Sequence, residues 1–174
     1  IVFAGHDVTR WPTHARARRG LVRSFQITRL FRSASVVANV VLALQAVAPT
    51  TPGAWRALRR DTALFDRAHA VLDEIGLAGK ASLDVAALSH GEQRALEVGL
   101  VLASRPRLLL LDEPMAGMGP DESARMEALI ERIRATSTVL LIEHDVDAVF
   151  RLADRVSVLV GGRVIASGTP DAVR

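Results

Sequence analysis

The chain has 174 residues, 49% of them hydrophobic, which is one domain's worth of sequence with enough apolar content for a core and excludes a disordered segment. With no cysteine, disulfide frameworks, thiolate metal sites and catalytic thiols are excluded. The formal charge is only +3, Lys80 is the sole lysine, and arginine clusters such as Arg16-Ala17-Arg18-Arg19 read as a solvated helix face rather than a nucleic-acid surface, for which 4% aromatics offer little base stacking.

Ile1-Val2-Phe3, Ala4-Gly5 and His6-Asp7-Val8 predict a strand, a turn and a short strand. Because the chain opens on Ile1 rather than Met, inside that strand, it is expected to be a fragment whose front is missing. Pro12 to Arg19 predicts a short helix stopped by Gly20, and Leu21 to Phe25 a short strand ending at Gln26. Ser35 can cap a helix from Val36 to about Val47, broken by Pro49-Thr50-Thr51-Pro52-Gly53. The apolar stretch Val36 to Ala48, interrupted by Asn39 and Gln45, is too short to span a bilayer. It is also internal and lacks a signal peptide's basic start, so the chain is expected to be soluble by itself and to meet a membrane only through a partner.

Trp55, Leu58, Phe65, Ala68, Leu72 and Ile75 fall near the helical period, so residues 54–75 predict one or two amphipathic helices ended by Gly76 and Gly79. Ser89 and Gly91 open a helix to about Ala103. Leu108 to Leu111 is an all-apolar strand of the kind found in parallel sheets covered on both faces. Gly119-Pro120-Asp121-Glu122 starts a helix with Met126, Leu129, Ile130 and Ile133 as its buried stripe. A second apolar strand, Thr138 to Ile142, precedes a helix capped by Asp145. Arg155 to Val160 and Arg163 to Ser167 flank Gly161-Gly162 as a hairpin, and Thr169-Pro170-Asp171 starts a last helix. Alternating strands and helices argue an α/β fold with a parallel sheet. Its core parts are 1–32 and 105–174, and residues 33–104 form an inserted α-helical subdomain.

Four apolar residues before Asp112-Glu113-Pro114 describe a strand that delivers two carboxylates to a sheet edge, where successive residues point to opposite sides. Asp112 can hold Mg²⁺ on a nucleotide and Glu113 can orient or deprotonate a water, although two helix-capping acids would read the same way. Ser89-His90-Gly91-Glu92 puts a hydroxyl and free N–H groups at a helix N-terminus, a favourable place for an anion, and also fits an ordinary capping box. His144 follows the second apolar strand and can reach the same edge, or serve only as a capping imidazole. Gln26 follows a short strand and, standing alone, also reads as a surface amide. The five histidines make no ligand spacing for zinc, which rejects a metal hydrolase. The phosphate-cradling Gly-x-x-x-x-Gly-Lys-Ser/Thr loop occurs nowhere. In its nearest decoy, Gly76-Leu77-Ala78-Gly79-Lys80-Ala81, the glycines stand too close together and no apolar strand precedes them.

Taken in order, these elements look like the signature loop, Walker B strand and switch histidine of an ATP-binding-cassette (ABC) ATPase. Arg23-Ser24-Phe25-Gln26, Leu30-Phe31, Leu88 to Arg94, Glu113 to Met118 and Gly168-Thr169-Pro170 resemble the branched-chain amino acid importer ATPases, a group that includes urea and amide importers. The resemblance implies a P-loop NTPase-type sheet lacking its N-terminal part, and ATP and Mg²⁺ as cofactors. It implies Asp112 and Gln26 at the metal, Glu113 polarising water, and His144 and Gln26 sensing the γ-phosphate. Ser89, His90, Gly91 and Glu92 would face the ATP of a second ABC ATPase subunit, with Gly117 and Gly119 in the D-loop. His90 and Glu92 replace the family's usual Gly and Gln, and Gly119 its frequent Asp. The implied partners are that second subunit, homo- or heteromeric, two transmembrane permease subunits docked near Gln26 to Phe31, and indirectly a periplasmic solute-binding protein. No nucleic acid is implied, and the implied location is peripheral, on the cytoplasmic face of a bacterial inner membrane. A lipopolysaccharide-export ATPase, a soluble ABC protein of DNA repair or translation, and a degenerate non-catalytic cassette are the alternatives.

Overall fold

The computed structural model describes residues 1–24, 30–47 and 62–174. Strands β1 (Val2–Phe3) and β2 (His6–Asp7) pair antiparallel, and helix α1 (Thr13–Arg18) leads into β3 (Leu21–Arg23). Helices α2 (Val36–Val47) and α3 (Thr62–Glu74) come next, then two single 3₁₀ turns, then α4 (His90–Leu102). The remainder alternates as β4 (Leu108–Asp112), α5 (Pro120–Arg134), β5 (Thr138–Ile142), α6 (Val146–Leu152), β6 (Val156–Val160), β7 (Arg163–Gly168) and α7 (Pro170–Val173). Phe25, Gln26, the breaker at 49–53 and the predicted helix start at 54–61 lie outside the described residues.

The expected parallel sheet is present, with strand order β3-β4-β5 and Asp112 in register with Ile142. The predicted C-terminal hairpin forms between β6 and β7, with an irregularity between Val158 and Leu159. Capping residues fix the helix starts. Ser35 Oγ accepts from Ala38 N at 3.2 Å, Ser89 and Glu92 form a reciprocal capping box, and Asp145 Oδ1 accepts from Ala148 N at 3.1 Å. Gly76, at φ +74°, follows α3 in the left-handed region that L side chains avoid.

Helices α2, α3 and α4 pack on one another and contribute Val36, Val40, Leu44, Ala68, Leu72 and Leu96 to the core. Buried among them is one amide. Asn39, 2% exposed, accepts from Phe31 N through Oδ1 and donates through Nδ2 to the carbonyls of Phe31 and Ser35. The polar interruption seen in the sequence is thus a satisfied clamp that fixes the approach to α2.

Among the described residues the sheet is covered on one face. Leu109 and Leu111 are buried, with Met126, Ile130 and Ile133 of α5 in the same core cluster. On the opposite face Leu108 and Leu110 are half-buried, while Leu140 and Ile142 of β5 are each 55% exposed.

Candidate functional site

Two clusters of chemistry-bearing side chains emerge. The first lies where β4 and β5 end. Asp112 Oδ2 accepts from Arg23 Nη2 at 2.7 Å, and the Asp112 backbone N–H donates to Ser24 Oγ at 3.4 Å, so the end of β3 holds the carboxylate and the residue after it holds the backbone. The Asp112 side chain keeps 16% of its surface exposed. Glu113 follows with a φ of +46°, a left-handed conformation unusual for a side chain of this type. It is held there by its N–H, which donates to Ile142 O at 2.8 Å, and by its carbonyl, which accepts from Ala116 N and Arg94 Nη2. This turn breaks the strand alternation and leaves the Glu113 carboxylate 41% exposed beside His144, whose Nδ1 stands 3.8 Å from Glu113 Oε1.

Glu143 supports both. Its side chain is 1% exposed, and its two oxygens accept from Met115 N at 3.0 Å and His144 N at 3.2 Å. A buried carboxylate is tolerated only when so satisfied. Here it ties the loop after Glu113 to the loop carrying His144.

The second cluster is the N-terminus of α4. Ser89 Oγ accepts from Glu92 N at 3.2 Å, while Glu92 Oε2 accepts from Ser89 N at 3.0 Å. Lys80 Nζ donates to Glu92 Oε1, so the lysine of the decoy glycine segment braces this loop. That hydrogen bond is the main cause holding the Glu92 carboxyl below the usual carboxylate range, with the Ser89 N–H and the charges of Lys80 and Arg125 adding to it against partial burial. Glu122, from the first turn of α5, reaches the same loop: its Oε1 accepts from Ser89 Oγ at 3.1 Å and Gly91 N at 3.3 Å. The exposed His90 ring faces the loop between β4 and α5, its Cε1 3.8 Å from where a Cβ on Gly117 would stand. Gly117, at φ +76°, and Gly119, the residue capping α5, lie in that loop.

Glu113 and His144 therefore come together at one edge beside Asp112. Ser89, Gly91 and Glu92 come together at another place, with His90 turned toward Gly117. The two clusters are joined by Arg94, which donates to the Glu113 carbonyl at 3.4 Å and pairs with Glu97 at 2.7 Å on its own helix. Gln26 lies outside the described residues. Sequence reasoning gave no role to Arg23, Arg94, Glu122 or Glu143. Arg23 and Arg94 stand inside segments that carried the family resemblance, but nothing local marks Glu122 apart from an ordinary first-turn acid.

The sequence pattern of the ABC transporter family matches residues 1–116. The chain belongs to the ABC transporter family. It is 38% identical, over its whole length and 71% of the relative's, to the high-affinity branched-chain amino acid transport ATP-binding protein BraF of Pseudomonas aeruginosa. Identity is 37% over the same shares with the ATP-binding protein LivG of the same transport type in Escherichia coli K12. The ADP conformation of MJ1267, an ATP-binding cassette of an ABC transporter, superposes with a TM-score of 0.79 at 24% identity, over 98% of this chain and 69% of that one.

The chain is thus an ABC-type ATPase by family, with nucleotide as its ligand class. The cassette MJ0796 bound to ADP and Pi, described as dimeric, shares the fold with a TM-score of 0.78 at 18% identity, over 97% of this chain and 72% of that one. Among the described residues no helix is long and apolar enough to cross a membrane. Also among them, no group of three His, Cys, Asp or Glu side chains could hold a metal ion.

Proposed function

We propose that this chain is the ATP-binding subunit of an importer for branched-chain amino acids or related small polar solutes such as urea and amides, peripheral to the cytoplasmic face of a bacterial inner membrane. The observation that carries the chemistry is Glu113, held in a left-handed turn with its carboxylate free and His144 beside it. Left-handed backbone at a non-glycine residue costs of order 1–3 kcal/mol and is kept where surrounding contacts over-determine it, as they do here. The similarity to BraF and LivG over the full chain supports the cargo class.

In this reading Asp112 supplies a carboxylate to nucleotide-bound Mg²⁺ while Arg23 fixes its direction. Glu113 accepts a hydrogen bond from the attacking water and polarises it. His144 holds the same water and the phosphate edge, and Gln26 completes that edge. Bound ATP supplies the phosphoanhydride that is cleaved, and the protein's task is positioning and charge stabilisation. Ser89 and Gly91 close on the ATP of a second ABC subunit, with His90 and Glu92 shaping their loop and Gly117 and Gly119 lining the subunit boundary. The separation of the site into two clusters within one chain supports a head-to-tail pair. Residues 1–32 and 105–174 act as the α/β core, and residues 33–104 as the helical subdomain. The exposed Phe31, anchored through its backbone by Asn39, is the docking point for a permease, and a solute-binding protein delivers cargo to that permease.

ATP turnover by the protein that carries this chain tests the chemistry, and it should be Mg²⁺-dependent. Glu113→Gln should lower that turnover at least 10²-fold, the scale of a lost general base, while ATP binding persists. Wild-type turnover in Glu113→Gln would remove Glu113 from the mechanism. For coupling, Phe31→Asp should abolish amino acid uptake in the assembled transporter and leave basal ATP hydrolysis intact.

A further inference from the structure

An acid at the third position of a helix ordinarily serves its own N-terminus, folding back on the first N–H groups or sitting in the favourable field of that helix. Glu122 does not. It belongs to the first turn of α5, yet its Oε1 accepts from Ser89 Oγ at 3.1 Å and from Gly91 N at 3.3 Å, both at the start of α4. The approach is close. A Cβ added to Gly91 would stand 2.5 Å from both Cδ and Oε1 of Glu122, so only glycine leaves room for the carboxylate. The other acid of the loop is engaged differently. Glu92 is drawn toward Lys80 and the Ser89 N–H, on the far side of the capping box, and leaves Ser89 Oγ and Gly91 N to Glu122.

From this geometry we infer that Glu122 is a positioning residue that occupies the oxyanion place of the signature loop and competes with the triphosphate for it. The inference rests on reading Ser89 to Glu92 as the loop that meets a second subunit's ATP. A carboxylate and a terminal phosphate present the same thing to Ser89 and Gly91, a charged oxygen accepting from a hydroxyl and a backbone amide. The same donors cannot serve both at once, and two anions so close repel. While Glu122 is seated, the hydroxyl and amide are aimed and satisfied. When a phosphate arrives, Glu122 must swing away, and its stem is fixed to α5 directly after the loop from Ala116 to Gly119. Occupancy of the signature loop is thereby felt by the first turn of α5 and by the loop that precedes it. Glu122 also sets how much nucleotide is needed before two subunits close.

The sign of one substitution separates competition from a structural prop. If Glu122 merely braces the loop, Glu122→Ala loosens Ser89 and Gly91 and weakens anion binding. If it competes, Glu122→Ala frees two donors and strengthens binding. The probe is inorganic tripolyphosphate without Mg²⁺. It is titrated into the 174-residue chain at submicromolar concentration, below the range where the chain is expected to self-associate, and protection of the segment from Leu88 to Gln93 is read by hydrogen–deuterium exchange mass spectrometry. Glu122→Ala should lower the half-protecting concentration about tenfold, the scale of a lost charged hydrogen-bond acceptor. The isosteric Glu122→Gln, which keeps the packing, should lower it less. Adding Ser89→Ala to Glu122→Ala should reverse most of the gain. Equal or weaker protection in Glu122→Ala than in the unmodified chain, with both responding to the probe, overturns the role of Glu122 and leaves the loop's anion-binding role standing. No protection in any variant overturns both.

Discussion

At the scale of single residues, Glu113 and Glu143 illustrate opposite uses of a carboxylate. The Glu143 side chain is buried, accepts from two backbone amides through its two oxygens, and also stands 3.6 Å from His144 Nδ1, so it works mainly as a structural brace. Glu113 is half-buried with its side chain 41% exposed, and its own backbone carries the strain. Each predicts a stability change. Glu143→Ala leaves the amides of Met115 and His144 without an acceptor and should cost about 1–3 kcal/mol in urea unfolding. Glu143→Gln retains one acceptor and should cost less. Glu113→Gly removes the side chain that disfavours the left-handed turn, offset in part by glycine's greater freedom when unfolded, and should stabilise the chain by roughly 0.5–1 kcal/mol. A destabilised Glu113→Gly would show that the turn stores no strain. The pair Lys80–Glu92 makes a pH-dependent case. The carboxyl of Glu92 is held below its usual value when folded, so its contribution is present above the unfolded value of about 4.3 and is lost as pH falls through the lowered folded value. Thermal melts below that value should fall more steeply for the unmodified chain than for Lys80→Met.

At the scale of elements, local chemistry was readable wherever a signal and its effect lie within a few residues. Ser35, Ser89 and Asp145 announced helix starts that the structure places as expected, and the double glycine after Val160 announced the hairpin. The strands Leu108–Asp112 and Thr138–Ile142 were equally legible, and with them the edge on which Asp112, Glu113 and His144 stand. What stayed hidden is long-range pairing. Arg23 meets Asp112 across 89 residues, Glu122 meets Ser89 across 33, and Glu143 meets Met115 across 28. No spacing rule encodes such distances. Asn39 was visible only as a flaw in an apolar stripe, although it ties the backbone of Phe31 to α2. Replacing Asn39 by Leu should therefore destabilise by about 1–3 kcal/mol despite adding apolar volume, because the N–H and carbonyl of Phe31 lose their partner inside the fold. Unchanged urea stability in Asn39→Leu would mean that water serves those groups as well as the amide does.

At the scale of the whole molecule, the question is what the uncovered face of the sheet does to the chain in solution. Among the described residues β5 is an edge strand of the sheet β3-β4-β5, and its outward residues Leu140 and Ile142 are each 55% exposed. Val146, just beyond it, is 58% exposed, and the hairpin presents Leu159, Val160, Val164 and Ile165 at 59–65%. Single exposed aliphatics are ordinary, but an edge strand with an apolar outer face invites pairing with another copy. Each aliphatic side chain left in water forgoes roughly 1.5–3 kcal/mol of burial, against a net stability of about 5–15 kcal/mol for a typical domain. Two such residues on the strand, with Val146 of α6 just beyond them, are enough to favour association. The 174-residue chain should therefore self-associate at micromolar concentration, with light scattering that rises with concentration. Charge placed on the outer face should suppress this without touching the core. The double variant Leu140→Glu with Ile142→Lys is expected to scatter less and to melt no earlier than the unmodified chain, since neither position is buried. A monomeric unmodified chain with one cooperative melt in the ordinary mesophilic range of about 45–65 °C would show that the exposed strand face is tolerated as it stands.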